Sequence, residues 1–140
     1  TLKKEGAPLI RYRTHDLTRF VPGDCACGSP YPRIDTLTGR TDDMVKVKGV
    51  NIFPSQIDEM LKTVPSASSE YQFTLNQTKG RDECRLFVEL NPGFDPAEAA
   101  AEIGREFKNR IGISVIVLPA ALGELPRSEK KSTRVFDNRY

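Results

Sequence analysis

Residues 39–54 read Gly39-Arg40-Thr41-Asp42-Asp43-Met44-Val45-Lys46-Val47-Lys48-Gly49-Val50-Asn51-Ile52-Phe53-Pro54. The stretch changes character three times. Gly39 to Asp43 is short, polar and turn-like. Met44 to Lys48 alternates apolar and cationic side chains, which predicts a strand with one face buried and one in water. Gly49 interrupts it, and a helix begins beyond Phe53-Pro54. Ser55 is the expected cap, with Asp58 three residues on. Ile57, Met60, Leu61 and Val64 then fall on one helical face, and Pro65 ends the helix.

Downstream of Pro65 the periods continue to alternate. Tyr71, Phe73 and Leu75 form one period-2 run, and Cys84, Leu86, Val88 and Leu90 another. Turn residues around Lys79-Gly80 separate them, which predicts an antiparallel hairpin. A second helix is better marked. Asp95 is its N-cap, Pro96 its first residue, Glu98 the capping-box partner and Gly112 the C-cap. Ala99, Ile103 and Phe107 share its apolar face. Ile113 to Leu118 predicts a buried strand, and Thr133 to Phe136 a short last one. The order strand–helix–strand–strand–helix–strand predicts an α+β domain over residues 44–140, with the split βαββαβ arrangement of ferredoxin-like folds.

Upstream of residue 39 the chain is different. Pro8, Pro22-Gly23, Gly28, Pro30 and Pro32 break it into turns. Leu9, Ile10, Leu17, Phe20, Val21 and Ile34 are too few to build a core. Residues 1–38 are therefore expected to be irregular and to belong with a larger neighbouring domain. The chain opens at Thr1 without an initiator Met, so it reads as a piece of a longer protein. Residues 39–43 would be the joint.

With 140 residues and a net charge of +2, the chain has the size of one domain and no strongly basic face, which argues against nucleic-acid binding. The charge is uneven. Pro126 to Tyr140 holds five basic side chains against two acidic ones, a net of +3, leaving −1 for residues 1–125. A basic tail suits an anionic small ligand, and equally a solvated terminus. Three cysteines exclude a complete disulfide framework and favour a reducing, cytoplasmic setting. No apolar run reaches membrane-spanning length.

Three constellations carry chemistry: Arg11-Tyr12-Arg13-Thr14-His15-Asp16-Leu17, the opening stretch, and Leu125-Pro126-Arg127-Ser128-Glu129-Lys130-Lys131-Ser132-Thr133-Arg134-Val135. With Phe53-Pro54-Ser55-Gln56-Ile57 between them, they resemble the successive motifs of phenylacetate-CoA ligases, members of the acyl-adenylate-forming superfamily. The resemblance runs from Gly6 to Arg139. It implies an AMP-forming acid–thiol ligase. An aryl carboxylic acid, ATP and Mg²⁺ give an acyl adenylate and pyrophosphate, and coenzyme A then displaces AMP. It also implies a small C-terminal domain that swings between two poses, against a body this chain lacks. A fragment of this extent is expected to be inactive alone.

Residue by residue, the resemblance makes Asp16 the acceptor for the ribose hydroxyls of ATP or AMP, a role a carboxylate suits. The plainer reading is a turn residue or a partner for Arg13. His15 stands where the wider superfamily often has glycine and reads as a packing residue. Arg40 matches an arginine that reaches the nucleotide, and otherwise would pair with Asp42 or Asp43. Asp42 matches the hinge, or is a plain turn. Gly49 matches the glycine beside the pantetheine tunnel, where a missing Cβ lets a thin ligand pass. Otherwise it is a positive-φ turn. Lys131 matches the lysine required for adenylation. Lys130, where the family usually has glycine, departs from the pattern. Cys25-Ala26-Cys27-Gly28 supplies two thiolates, short of the four ligands of structural zinc, and reads as a loop without a metal. The competing reading is a stand-alone ferredoxin-like module that binds a small ligand or regulates. Phe87 and Tyr71 are too sparse for a nucleic-acid-binding sheet.

Overall fold

A computed structural model describes residues 3, 6, 9–41, 43–78, 80–127 and 134–139. The chain divides into two compact units, Thr1–Asp42 and Asp43–Tyr140.

The first unit is built from two-residue strands. They are β1 (Asp16–Leu17), β2 (Phe20–Val21), β3 (Arg33–Ile34) and β4 (Gly39–Arg40). β1 pairs antiparallel with β4, and β2 with β3. Side-chain and turn hydrogen bonds hold these ribbons. Arg19 meets Asp35 at 2.7 Å, and the Thr18 hydroxyl donates to the Asp35 carbonyl at 2.8 Å. Among the described residues none of this unit is buried, and Ile10, Tyr31 and Phe20 are 82%, 79% and 76% exposed. The absence of a core here is as expected. The irregular reading missed the ribbons, because two residues are too short to display alternation.

The second unit contains β5 (Val45–Val47), β6 (Val50–Ile52), α1 (Pro54–Leu61), β7 (Ala67–Thr78), β8 (Arg81–Leu90), α2 (Pro96–Ile111), β9 (Ile116–Ala120) and β10 (Val135–Asp137). Four strands form one mixed sheet in the order β10-β7-β8-β9. β7 and β8 are the expected antiparallel hairpin, with Phe73 opposite Leu86 and Leu75 opposite Cys84. β9 runs parallel to β8, and β10 parallel to β7.

The α+β class is as predicted, but the strand arrangement differs from the split pattern in two ways. The strand expected at 44–48 is β5, and it pairs with β6 in a ribbon of its own rather than with the sheet. The strands joined by α2 are direct neighbours, with no strand inserted between them. The cause of the first is local. Lys48 and Gly49 both have positive φ, +49° and +85°, which makes a two-residue turn whose twist matches the flanking strands. The chain therefore folds back before it can reach the sheet. The ninth strand also lies slightly later than expected, at Ile116–Ala120. It is an edge strand, so Pro119 costs it no interior ladder bond.

Both helices pack through the predicted faces. Ile57, Met60, Leu61 and Val64 are buried, as are Ala99, Ile103, Phe107 and Ile111. The rings of Phe73 and Phe107 stack at 5.8 Å between centroids. Asp95 caps α2 and Pro96 opens it as read: the Asp95 carboxylate accepts from the N–H groups of Ala97 and Glu98, both at 2.9 Å. Gly112 ends it with φ +91°, donating to the Lys108 carbonyl. The start of α1 differs. Pro54 is its first residue, and the Gln56 side chain accepts from the Phe53 N–H at 3.1 Å. Ser55 lies inside the helix and does not cap it. Asp58 is used elsewhere, in an ion pair with Arg134.

Candidate functional site

The register of β1 against β4 sets Asp16 opposite Arg40. Their side chains meet at 3.7 Å, Arg40 Nη1 to Asp16 Oδ1, and both are partly exposed. A partly exposed pair of this kind adds little stability. The ribbon is closed beside them by Thr41, whose N–H donates to the His15 carbonyl at 2.8 Å. His15 Nδ1 lies 3.3 Å from the Thr41 hydroxyl. His15 itself has φ +65°, the left-handed region that favours glycine and costs other residues energy. Cys25 and Cys27 sit on a turn closed by the Gly28 N–H and the Cys25 carbonyl. Their sulfurs are 2.9 Å apart. The Cys25 thiol, and then the Ser29 backbone, hold the Cys27 thiol below its ordinary range. Among the described residues no three His, Cys, Asp or Glu side chains come together as a metal site would require.

In the second unit, Gly49 occupies the β5–β6 turn. A Cβ built there meets nothing within 4 Å, so the residue is required by its φ and not by crowding. Asp42 and Lys131 both lie outside the described residues. Lys131 belongs to residues 128–133, and the residues flanking that segment, Arg127 and Arg134, are described.

These two arginines are held by Glu70 and Glu89, which the sequence reading passed over, and by Asp58, which it assigned to a helix start. Glu89, on β8, has no exposed surface. Its carboxylate accepts from the Leu125 N–H at 2.9 Å and from Arg127 Nη2 at 2.7 Å. Burial raises the Glu89 carboxyl, but the Gly123 and Leu125 N–H groups and the Arg127 guanidinium outweigh it and hold the carboxyl below the ordinary range. Arg127 also meets Glu70 at 3.2 Å. On the other side, Arg134 Nη1 lies 2.6 Å from Asp58 on α1 and Nη2 lies 3.7 Å from Glu70. The Arg134 guanidinium covers the Tyr71 ring at 5.1 Å, a cation–π contact. The Tyr71 hydroxyl in turn donates to the Pro54 carbonyl at 3.0 Å. Glu89 was missed because it alternates with Val88 and Leu90 and so reads as water-facing. Its burial comes from residues 121–127 crossing that face.

Residues 49–139 match the family of AMP-binding enzyme C-terminal domains. The phenylacetate-coenzyme A ligase of Escherichia coli is 38% identical across 99% of this chain, which covers 32% of that protein. The enzyme of the same name from Thermus thermophilus is 34% identical, with 36% of its length covered. The chain thus spans about a third of the curated relatives it matches. Among solved structures, a domain of phenylacetate-coenzyme A ligase from Bacteroides vulgatus is 36% identical with a TM-score of 0.62, covering 71% of this chain and 95% of that one. A 2-hydroxyisobutyryl-CoA ligase in the postadenylation state with R3-HIB-AMP is 30% identical with a TM-score of 0.78. That match covers 94% of this chain and 29% of the other.

Proposed function

Since the chain belongs to the phenylacetate-coenzyme A ligase family, we propose that it is the C-terminal part of an AMP-forming acid–thiol ligase acting on an aryl carboxylic acid. The observation that carries this reading is the collinear match along nearly the whole chain, which includes all three motif segments. In the first half-reaction a carboxylate oxygen attacks the α-phosphorus of ATP and pyrophosphate leaves. In the second, the thiol sulfur of coenzyme A attacks the acyl carbon, the thiol proton is lost and AMP leaves.

Asp16 would accept the two ribose hydroxyls, and Arg40 would donate to nucleotide oxygens beside it. Their placement opposite each other on one ribbon supports a shared ligand. Asp42 would be the hinge, and Gly49 would flank the pantetheine arm. Lys131 would place a positive charge where the α-phosphate and the substrate carboxylate converge, stabilising charge that builds during adenylation. The Mg²⁺ that accompanies ATP would be held by one or two carboxylates together with phosphate oxygens and water. The exposed Ile10, Phe20 and Tyr31 support the view that the first unit completes a larger nucleotide-binding body. No helix among the described residues is long and apolar enough to cross a membrane. A cytoplasmic enzyme fits the unpaired cysteines.

The test uses the full-length ligase. Lys131→Ala is expected to slow acyl-adenylate formation by roughly 10²–10³-fold, read by ATP–pyrophosphate exchange, while thioester formation from supplied adenylate persists. Equal loss of both steps would overturn the assignment of Lys131. The 140-residue chain alone, given ATP, coenzyme A and phenylacetate, should form no acyl-CoA. Product formation by it would overturn the division of labour. A panel of aryl and alkyl acids offered to the full-length protein then identifies the substrate.

A further inference from the structure

We propose that Cys25 and Cys27 form a dithiol that a small disulfide oxidises to an intramolecular disulfide, with Cys27 as the attacking thiol and Cys25 as the resolving one. The two lie on the loop between β2 and β3, and their sulfurs stand 2.9 Å apart. The loop fixes them there. The Gly28 N–H donates to the Cys25 carbonyl at 2.9 Å, and Gly28 takes φ +75° as the turn closes. Arg33 Nη2 donates to the Pro22 carbonyl at 2.9 Å and ties the two sides of the loop together.

The two thiols are not equivalent. Cys27 is exposed and Cys25 is partly covered. The Cys25 thiol and the Ser29 backbone favour the thiolate of Cys27, and a thiolate is the form that attacks a disulfide. Cys84 is the contrast. It is buried on β8, and burial pushes its thiol up, which makes it inert. In the reaction the Cys27 sulfur attacks one sulfur of oxidised glutathione. That S–S bond breaks, one glutathione leaves as a thiol with the Cys27 proton, and a mixed disulfide stays on Cys27. The Cys25 sulfur then attacks the Cys27 sulfur, and the second glutathione leaves with the Cys25 proton. One disulfide is reduced while another forms, so no further oxidant is needed. An exposed disulfide is of the labile kind, and excess glutathione thiol should reverse it.

The experiment treats the reduced full-length protein with oxidised glutathione, quenches with acid, and weighs the tryptic peptides of residues 20–33 and 82–85. The first holds Cys25 and Cys27, the second Cys84. Peptide 20–33 is expected to lose two hydrogens at least about tenfold faster than Cys84 takes up glutathione, and glutathione thiol should restore it. Cys25→Ser should stop at the mixed disulfide on Cys27, and Cys27→Ser should slow the first attack. A peptide 20–33 that stays reduced, or that keeps glutathione in the unsubstituted protein, would overturn the proposal. So would modification of Cys84 at the same rate, or thiols that react only after a metal chelator is added. Should either serine variant fail to fold, the unsubstituted protein still decides, because its own peptide must show the internal disulfide.

Discussion

Replacing Glu89 by alanine should destabilise the second unit by about 2–4 kcal/mol, mostly through a single stranded donor. Glu89 has no exposed surface, and the Leu125 N–H that it accepts is also buried. Truncation leaves that N–H without a partner, at a cost of roughly 1–3 kcal/mol, and removes charge-assisted hydrogen bonds worth a similar amount. The other two donors soften the loss. Gly123 is exposed and Arg127 is half exposed, so water replaces the carboxylate at both. The ion pair with Arg127 is therefore discounted and does not raise the total. With a urea m-value near 2 kcal/mol/M, the denaturation midpoint of the 140-residue chain should fall by roughly 1–2 M.

The pH dependence gives an independent check. The folded carboxyl lies below the ordinary glutamate range. Its contribution is fully present above the unfolded value near 4.3 and is lost as pH falls through the folded value. The stability gap between the unsubstituted chain and Glu89→Gln should be widest above about pH 5 and narrow in more acid solution. Amide exchange at Leu125 should accelerate in Glu89→Ala. A midpoint shift under about 0.3 M, or a gap that widens in acid, would refute the reasoning.

Three further outcomes follow from particular residues. Asp95→Ala removes the acceptor for two N–H groups at the start of α2 and should cost about 1 kcal/mol in urea denaturation. Gly49→Ala forces a Cβ into a turn with φ +85° and should cost about 1 kcal/mol; in the full-length ligase it should slow thioester formation more than pyrophosphate exchange. Asp42→Pro in the same protein should impair one half-reaction selectively if residue 42 is the hinge, and an unchanged overall rate would count against that role.

Much of this protein was legible before any coordinates. Helix α2 could be bounded at both ends, because Asp95, Pro96 and Gly112 act on their own backbone neighbours and need no distant partner. The β7–β8 hairpin followed from alternation and from the turn residues between the two runs. The motif segments were found through their resemblance to the successive motifs of phenylacetate-CoA ligases. Local rules failed where two of them competed. Ser55 looked like a cap, but Pro54 already opens the helix and Gln56 satisfies the Phe53 N–H.

By itself, then, the sequence determined both helices, the β7–β8 hairpin, the faces these elements bury and the family to which the motifs point. Each of these depends on residues a few positions apart. The tertiary structure alone decided which strands are neighbours, that β5 pairs with β6 outside the main sheet, and that Asp16 faces Arg40 across 24 residues of chain. It also decided that Glu70, Glu89 and Asp58 meet Arg127 and Arg134, the residues that flank the lysine-bearing segment. A carboxylate on a strand carries no mark of whether it will face water or a returning loop. That depends on where residues far along the chain cross the sheet, and on the desolvation and hydrogen bonding that result when they do.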